Sequence, residues 1–407
     1  MMNDKNLGSQ KNKLKEIKRT PELRFKGFSD DWEERKLGDE VRIVMGQSPN
    51  SENYTDDPND YILVQGNADM KNGRVFPRVW TTQVTKQAEK DDLILSVRAP
   101  VGDIGKTAYD VVIGRGVAAI KGNEFIFQNL GKMKSDGYWT RYSTGSTFES
   151  INSTDIKEAI ISVPTIEEQN KIGSFFKQLD NTIALHQRKL DKLKQLKQGY
   201  LQQLFPKPGE TVPKIRFANF EGEWEERKLR TLLIKNSKKN KDLTIKNVES
   251  ISNRTGFTKQ TEQFDEYSVA SADLSNYYVI TEQQFAYNPS RINVGSIAYK
   301  PIGDDTSVVS PLYVSFSTKK ILNDSFLWNW FKTSSFENQR QRLSEGGVRD
   351  TLSFNQLSEM SIVIPQYLEQ VKIGNFFKQL DFLITLHQEK LKQLKTCKKA
   401  LLQKMFI

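Results

Sequence analysis

Apolar residues recur at alternating steps of four and three along two stretches of the chain, one before Pro206 and one at the C-terminal end. This spacing is typical of the a and d positions of a coiled coil, where each helix packs an apolar seam against a partner helix. Thr165 and Glu168 predict a capping box that opens the first helix, and Pro206 ends it. The predicted seam positions are Ile172, Phe176, Leu179, Ile183, His186, Leu190, Leu193, Lys197, Tyr200 and Leu204 in the first stretch, and Ile373, Phe377, Leu380, Ile384, His387, Leu391, Leu394, Lys398, Leu401 and Met405 in the second.

The two stretches place histidine and lysine at the same seam positions. Because a polar layer in an apolar seam costs stability and commonly fixes the register, this repetition favours pairing of the two helices with each other. Packing of each helix on its own domain is the alternative. We interpret His186 and His387 as residues that fix the register or face a partner, and not as catalysts.

A segment of mixed character precedes each helical stretch. It contains short β-branched or aromatic runs, separated by clusters of Gly, Asn, Asp and Pro, as expected for strands joined by turns. The clearest runs are Tyr61–Val64, Leu93–Val97, Val117–Ile120 and Leu312–Phe316. The pattern predicts a mixed α/β fold, in which globular segments alternate with long helices.

The chain is a tandem duplication. Pro21–Leu37 and Pro213–Leu229 are identical at 10 of 17 positions, and Ile161–Phe205 matches Ile362–Phe406 without a gap at 25 of 45 positions. Weaker matches between these anchors keep the same order. The predicted organisation is a flexible basic extension at 1–20, a first globular domain at 21–160 and a first helical region at 161–205, followed by a linker at 206–212, a second globular domain at 213–361 and a second helical region at 362–407.

Composition narrows the function. The 407 residues include 60 Lys+Arg and 50 Asp+Glu, a net charge of +10 that is compatible with a nucleic-acid partner. A single cysteine, Cys397, excludes a disulfide framework and a cysteine-based zinc site, and two histidines exclude His-rich metal catalysis. No apolar run is long enough to span a membrane, and the basic start of the chain lacks the apolar core of a signal peptide. We therefore expect a soluble protein of the reducing cytoplasm.

Catalytic motifs are incomplete throughout the sequence. The repeated WEERKL segments contain the Glu-x-Lys spacing of a nuclease half-motif, but their duplication beside Trp32 and Trp224 favours a packing role. No nucleophile has a histidine base nearby in sequence. We expect no catalytic residues, no bound metal and no cofactor in this chain.

The repeated segments together resemble a known family, the specificity subunits of type I restriction-modification systems. The resemblance covers nearly all of Pro21 to Phe406. It depends on the doubled motifs RF..F...WEERKL and P....EQ.KIG.FFKQLD, and on the pieces VRAPVGDIG, IGRGVAAI, NPSRINVGSIA and VSPLYVSF.

This resemblance implies two globular α/β target-recognition domains, each reading half of a bipartite double-stranded DNA site. It also implies two long antiparallel coiled-coil helices that separate the domains in a pseudo-twofold arrangement. The expected partners are two methyltransferase (modification) subunits, together with restriction/translocase subunits. Those partner subunits are expected to use S-adenosylmethionine, ATP and Mg²⁺.

The duplication also separates candidate DNA contacts into two classes. Arginines shared by both repeats belong to the scaffold or contact phosphates, and turn capping is an equally good interpretation of them; they are Arg98, Arg141, Arg291 and Arg342. Base-reading residues should lie where the repeats diverge, because the two half-sites differ. The candidates are Gln47, Asn67, Lys71, Asn72, Arg74 and Arg115 in the first repeat, and Asn253, Arg254, Lys259, Asn276 and Arg349 in the second.

Two other functions remain open at this level. A standalone DNA-modifying enzyme would need a cofactor site that the sequence does not reveal. A coiled-coil scaffold that does not bind DNA would show a weak or salt-insensitive interaction with DNA, whereas phosphate contacts weaken steeply with salt.

Overall fold

A computed structural model describes residues 19–142, 150–259, 273–344 and 351–407. The chain divides into two compact units, one formed by Met1–Gln187 with Glu389–Ile407 and the other by Arg188–Gln388. Each unit therefore combines one globular segment with parts of both long helices. The long helices are α4 (Ile166–Gln203) and α8 (Tyr367–Met405).

Short strands build the globular segment of the first unit. They are β1 (Glu33–Lys36), β2 (Arg42–Met45), β3 (Tyr54–Thr55), β4 (Tyr61–Val64), β5 (Met70–Lys71), β6 (Arg74–Val75), β7 (Trp80–Thr81), β8 (Lys86–Ala88), β9 (Leu93–Ser96), β10 (Ile104–Lys106), β11 (Val111–Ile113), β12 (Val117–Lys121) and β13 (Ile160–Val163). The short helices are α1 (Leu37–Glu40), α2 (Glu124–Ser135) and α3 (Ser153–Lys157), with 3-10 turns at Ser51–Asn53, Asn67–Asp69 and Tyr138–Tyr142.

The second unit has a similar set of elements. Its strands are β14 (Glu225–Lys228), β15 (Leu233–Lys235), β16 (Glu249–Ser252), β17 (Gly256–Lys259), β18 (Tyr278–Ile280), β19 (Gln284–Tyr287), β20 (Ile297–Lys300), β21 (Ser307–Val309), β22 (Val314–Thr318) and β23 (Ser361–Ile364). Its short helices are α5 (Asp324–Trp330), α6 (Ser334–Ser344) and α7 (Phe354–Glu359), with 3-10 turns at Leu229–Thr231 and Ile292–Val294.

The two globular segments share a sheet topology. In the first, β2, β12, β9 and β10 are neighbours in that order, and β6 and β5 extend the sheet beyond β10. In the second, β15, β22, β19 and β20 repeat the same order. The strand from each WEERKL segment pairs antiparallel with the strand that precedes a long helix, β1 with β13 and β14 with β23. The mixed α/β prediction and the duplication are both visible in this topology.

Most of the strand predictions agree with the structure, and one start is wrong. The runs at Tyr61, Leu93 and Val117 form β4, β9 and β12. The run at Leu312 becomes a strand only at Val314, because Tyr313 donates its backbone N–H to Ser310 O (3.0 Å) in a turn that exposes Leu312. Residues 160–163, which we placed at the domain-helix boundary, form β13 and not helix.

The predicted capping box at the start of α4 is only half correct. The Thr165 hydroxyl accepts a long hydrogen bond from the Glu168 backbone N–H (3.5 Å). The Glu168 carboxylate instead accepts two hydrogen bonds of 2.7 Å from the Arg24 guanidinium. In the second repeat Arg216 binds Glu369 in the same way, at 2.7 and 2.8 Å. These fully buried carboxylates tie the RF motif of each repeat to the start of its long helix.

Aromatic side chains reinforce that connection. Phe25 lies 5.8 Å from Phe175 in the first unit, and Phe217 lies 5.8 Å from Phe376 in the second, between ring centroids. The glycine of each KIG motif brings the long helix close to a short one: a Cβ on Gly173 would lie 2.9 Å from Glu124 Cβ. The repeated motifs are thus explained by packing.

The WEERKL tryptophans are buried anchors of their units. Trp32 packs against Phe125 and Phe406 in the first unit, with ring centroids 5.6 and 6.2 Å apart. In the second unit, Phe205 packs against Trp224 at 6.5 Å. The side chains of β1 are exposed, and Arg35 pairs with Glu33 at 2.6 Å. This geometry agrees with the packing interpretation of the motif.

Within each unit the two long helices run antiparallel. Phe176, near the start of α4, lies 5.8 Å from Phe406, and in the second unit Tyr200 lies 5.0 Å from Phe376. All twenty predicted seam positions are buried or half-buried, whereas Lys192 between them is exposed.

The seam lysines have acidic partners that the sequence pattern did not reveal. Lys398 donates to both carboxylate oxygens of Asp180 at 2.6 and 2.8 Å, and Lys197 forms an ion pair with Asp381. Asp180 and Asp381 are the equivalent aspartates of the two KQLD motifs. The same lysine–aspartate layer therefore occurs once in each unit and restricts the register of the helix pair.

A charge at an apolar seam position should destabilise the protein strongly. Leu190 and Leu391 are only 4% and 6% exposed, so Leu190→Asp or Leu391→Asp places a carboxylate in a buried position. We expect a loss of at least about 3 kcal/mol in the free energy of unfolding, from lost burial and from the desolvated charge. Thermal denaturation of matched variants measures it, with Lys192→Glu as the exposed control. Equal melting temperatures for Leu190→Asp and Lys192→Glu would contradict the seam assignment.

Candidate nucleic-acid interface

A polar cleft of about 370 Å³ opens at one end of the first domain's sheet. Three predicted DNA-contact residues line it: Asn67, Arg98 and Arg115. The loop between β9 and β10 carries Arg98, the loop between β11 and β12 carries Arg115, and Asn67 begins the 3-10 turn after β4. The other lining residues are Ser48, Tyr54, Gln65, Gly66, Ser96, Ala99 and Gly116.

Glycines determine the shape of this cleft. A Cβ on Gly116 would lie 2.0 Å from Gln65 O, and one on Gly46 would lie 2.1 Å from Gly114 O. Only glycine permits these backbone segments to approach so closely. The Arg115 backbone N–H also donates to the Ser48 hydroxyl at 3.1 Å. The main chain around Arg115 is thereby fixed while its side chain remains exposed.

The arginines at the cleft differ electrostatically from those in the scaffold. Arg24 and Arg216 pair with buried carboxylates, and hydrogen bonding to Glu168 and Glu369 is the main cause that raises the pKa of each guanidinium. In the described ranges, no carboxylate lies within ion-pair distance of Arg98 or Arg115. Exposed guanidinium groups without an internal counter-ion are well suited to contact phosphates or base edges.

Three other candidates from the first repeat lie elsewhere. Lys71, Asn72 and Arg74 surround the tip of the β5–β6 hairpin, where Asn72 and Gly73 have φ values of +53° and +71°. Arg74 pairs with Lys106 at the last residue of β10, whereas Arg98 lies in the loop before β10. None of these three residues lines the cleft. Gln47 is exposed after β2 and does not line the cleft.

Two candidates of the second repeat meet at a second cleft. Asn253 and Arg254 form the tip of the β16–β17 hairpin and line this cleft of about 560 Å³. Lys259 is exposed at the end of β17, and Asn276 accepts a hydrogen bond from Lys239 (3.2 Å). Arg349 lies outside the described residues.

Of the shared arginines, Arg98 and Arg291 occupy equivalent loops in the two domains, whereas Arg141 and Arg342 lie in elements of different type. Arg98 lies in the connection between β9 and β10, and Arg291 in that between β19 and β20. Arg141 follows α2 in a 3-10 turn, and Arg342 lies in α6. The Arg141 guanidinium stacks 3.4 Å from the Tyr138 ring centroid and donates to Tyr138 O at 2.9 Å. These contacts favour the turn-capping interpretation for Arg141.

Sequence reasoning missed the neutral polar side chains of the first cleft. Ser48, Tyr54, Gln65 and Ser96 lie on four separate segments, and no local pattern singles them out. For the part of the chain that the structure describes, no group of three or more His, Cys, Asp or Glu side chains could hold a metal ion. Nor does any helix in that part have the length and apolar character needed to cross a membrane.

Comparison with known proteins places these features in one family. The type I restriction modification DNA specificity domain matches twice, at residues 29–195 and 221–396. A protein named as the type I restriction enzyme MjaX specificity subunit, from Methanocaldococcus jannaschii, is 31% identical over 183 residues. That match spans 43% of this chain and 43% of the relative's length.

Two further comparisons extend over nearly the whole chain. The type I restriction enzyme MjaVIII specificity subunit of M. jannaschii is 20% identical over 395 residues, which cover 92% of this chain and 91% of that protein. The crystal structure of a type I restriction-modification system S subunit from M. genitalium has a similar fold, with a TM-score of 0.65 at 15% identity. The structural alignment covers 95% of this chain and 99% of that structure. Because the family's domain matches both repeats, over most of the sequence, the chain belongs to the type I restriction-modification DNA specificity family.

Proposed function

We propose that the chain is the DNA-recognition subunit of a type I restriction-modification complex in the cytoplasm. The two recognition domains, residues 21–160 and 213–361, each bind one half of a bipartite double-stranded DNA site. One observation carries the proposal: the two domains share one strand order, but their clefts are lined by different polar and basic residues, half-buried Asn67 with exposed Arg115 in the first and exposed Asn253 with Arg254 in the second. A common frame with divergent contacts is what two different half-sites require.

The remaining parts of the complex follow from the family. Two methyltransferase subunits dock on this chain and supply methyl transfer from S-adenosylmethionine, and restriction/translocase subunits use ATP and Mg²⁺. The chain contributes no catalytic residue of its own. Its role is to select the DNA sequence on which the other subunits act.

A methylation map tests this function. Methylated bases are mapped across the genome of a host that carries the complete system, with and without the gene for this chain. The expected result is a split motif of two short half-sites that is methylated only when the gene is present. An unchanged methylation pattern would contradict the proposal, provided that the methyltransferase subunit of the host is active when combined with other specificity subunits.

Neutralising the cleft arginines should weaken DNA binding without unfolding the protein. Arg98→Gln and Arg115→Gln should each cost about 1–3 kcal/mol of binding free energy for the cognate duplex. An arginine that contacts a phosphate should also reduce the slope of log affinity against log salt by about one. Fluorescence anisotropy of a labelled duplex at several salt concentrations measures both effects.

Arg230→Gln provides the control, because Arg230 pairs with Glu359 at 2.9 Å on the surface. If Arg98→Gln and Arg115→Gln bind DNA with the same affinity as Arg230→Gln, the cleft is ruled out as a DNA contact.

A further inference from the structure

The second cleft has a composition that the first cleft lacks. It lies between the β16–β17 hairpin, β20 and the helix α5, and four aromatic side chains line it: Phe257, Tyr299, Trp328 and Phe331. Its polar residues include Asn253, Arg254, Asp304 and Lys332. The cleft thus combines flat apolar walls with two cationic groups.

Lys332 is the cation nearest the aromatic wall. Its amino nitrogen lies 4.3 Å from the centroid of the Trp328 ring. In the described part of the chain, no carboxylate forms an ion pair with Lys332, and Asp381, whose charge acts on it, is paired with Lys197. Desolvation, and then the neighbouring charge of Lys197, lower the pKa of Lys332 to about 7, while Asp381 acts in the opposite direction. An anionic group bound in the cleft would stabilise the charged form of this lysine.

The corresponding positions of the first domain have different chemistry. Asn123 and Asn323 cap α2 and α5 in the same way, so that Gln128 corresponds to Trp328 and Lys132 to Lys332. Gln128 is buried and donates to Asp180 at 2.8 Å, and Lys132 pairs with Asp136 at 2.8 Å. At these two positions the first domain therefore has neither an aromatic side chain nor a lysine without an ion pair.

A ligand for this cleft needs a planar apolar body and a negative charge. Aromatic side chains stack on nucleobases of any sequence, and adjacent cations bind the phosphate. We propose that the second cleft is a subsite for a single unstacked nucleotide, with its base against Trp328 and its phosphate near Lys332 and Arg254. The nucleotide comes either from a DNA strand, a source that rests on the proposed function, or from a free nucleotide.

Two probes on the full-length protein distinguish these sources. The first probe is dAMP, whose binding is measured by saturation-transfer NMR. The second is a fluorescein-labelled 12-nucleotide single strand, whose binding is measured by fluorescence anisotropy. Trp328→Leu and Lys332→Gln should each weaken binding of at least one probe by about tenfold or more. Lys132→Gln is the matched control from the first domain and should leave both affinities unchanged.

The pH dependence supplies a second readout. Lys332 is charged below its pKa of about 7 and progressively neutral above it. Wild-type affinity should therefore fall as the pH rises from about 6 to about 8.5, and the affinity of Lys332→Gln should change less over the same range.

The outcomes separate this inference from the proposed function. Loss of dAMP binding in the variants supports a free-nucleotide site, and loss of strand binding alone supports a DNA strand as the source. Unchanged affinities for both probes, in variants that keep the wild-type melting temperature, would overturn the subsite. Failure of the wild-type protein to bind duplex DNA would count against the proposed function and leave the dAMP result standing.

Discussion

Exchange of residues 38–150 for the corresponding segment of a relative is expected to change one half of the methylated DNA site and leave the other half intact. The exchanged segment carries all the candidate base contacts of the first repeat. The antiparallel pair β1–β13 lies outside it and remains to hold the domain together. Because the second domain has its own sheet and hydrophobic core, its half-site should not change.

Packing at the first junction of this exchange restricts the residues at positions 37 and 38. A Cβ on Gly38 would lie 2.8 Å from Lys157 Cβ, so the transplanted segment should keep glycine at this position. Leu37, just before the junction, is fully buried and should be retained. Methylation mapping of cells that carry the hybrid gives the readout, and the reciprocal exchange in the second repeat is the control. A change in both half-sites, or in neither, would refute modular recognition.

Substitution of Arg24 or Arg216, the arginines of the two RF motifs, should destabilise the protein more than most substitutions near its surface. Arg24→Leu leaves the Glu168 carboxylate, whose side chain is 0% exposed, without its bidentate partner. Loss of one member of a buried ion pair typically costs about 3–5 kcal/mol, because the remaining charge stays desolvated. Arg216→Leu should behave alike, since the Glu369 side chain, which is only 1% exposed, then also loses its ion-pair partner.

Chemical denaturation of these variants measures the cost. Arg35→Leu is the matched control, because Arg35 pairs with Glu33 on the exposed face of β1 and should change stability little. Equal stability of Arg24→Leu and Arg35→Leu would show that the buried pair does not hold the RF motif to the helix. A double variant with Glu168→Leu should recover part of the loss, because no buried charge is then left unpaired.

The sequence alone determined the periodic features of this protein. The heptad spacing identified twenty seam positions, and all of them are buried or half-buried. The duplication predicted two domains with one frame, and the sheets repeat the same strand order. Such features can be inferred from sequence because helix periodicity and repeated motifs depend on neighbours a few residues apart or on direct self-comparison.

Candidate DNA contacts could be predicted as residue types but not as a site. Asn67, Arg98 and Arg115 meet at the first cleft, whereas Lys71, Asn72 and Arg74 lie around the β5–β6 hairpin and do not line it. Nothing in the local sequence separates these two groups, because loop direction depends on how strands pair and on close backbone approaches such as that of Gly116 to Gln65.

Only the tertiary structure decided which charged residues pair. Arg24 and Glu168 lie 144 positions apart, and Lys398 and Asp180 lie 218 apart, so that no local pattern joins them. The same holds for Trp328 and Lys332, whose helical spacing is visible in the sequence while the cleft they line depends on a distant hairpin at Asn253. Long-range packing brings such groups together because a buried charge needs a partner that offsets its desolvation, and an aromatic ring is buried only where another part of the chain covers it.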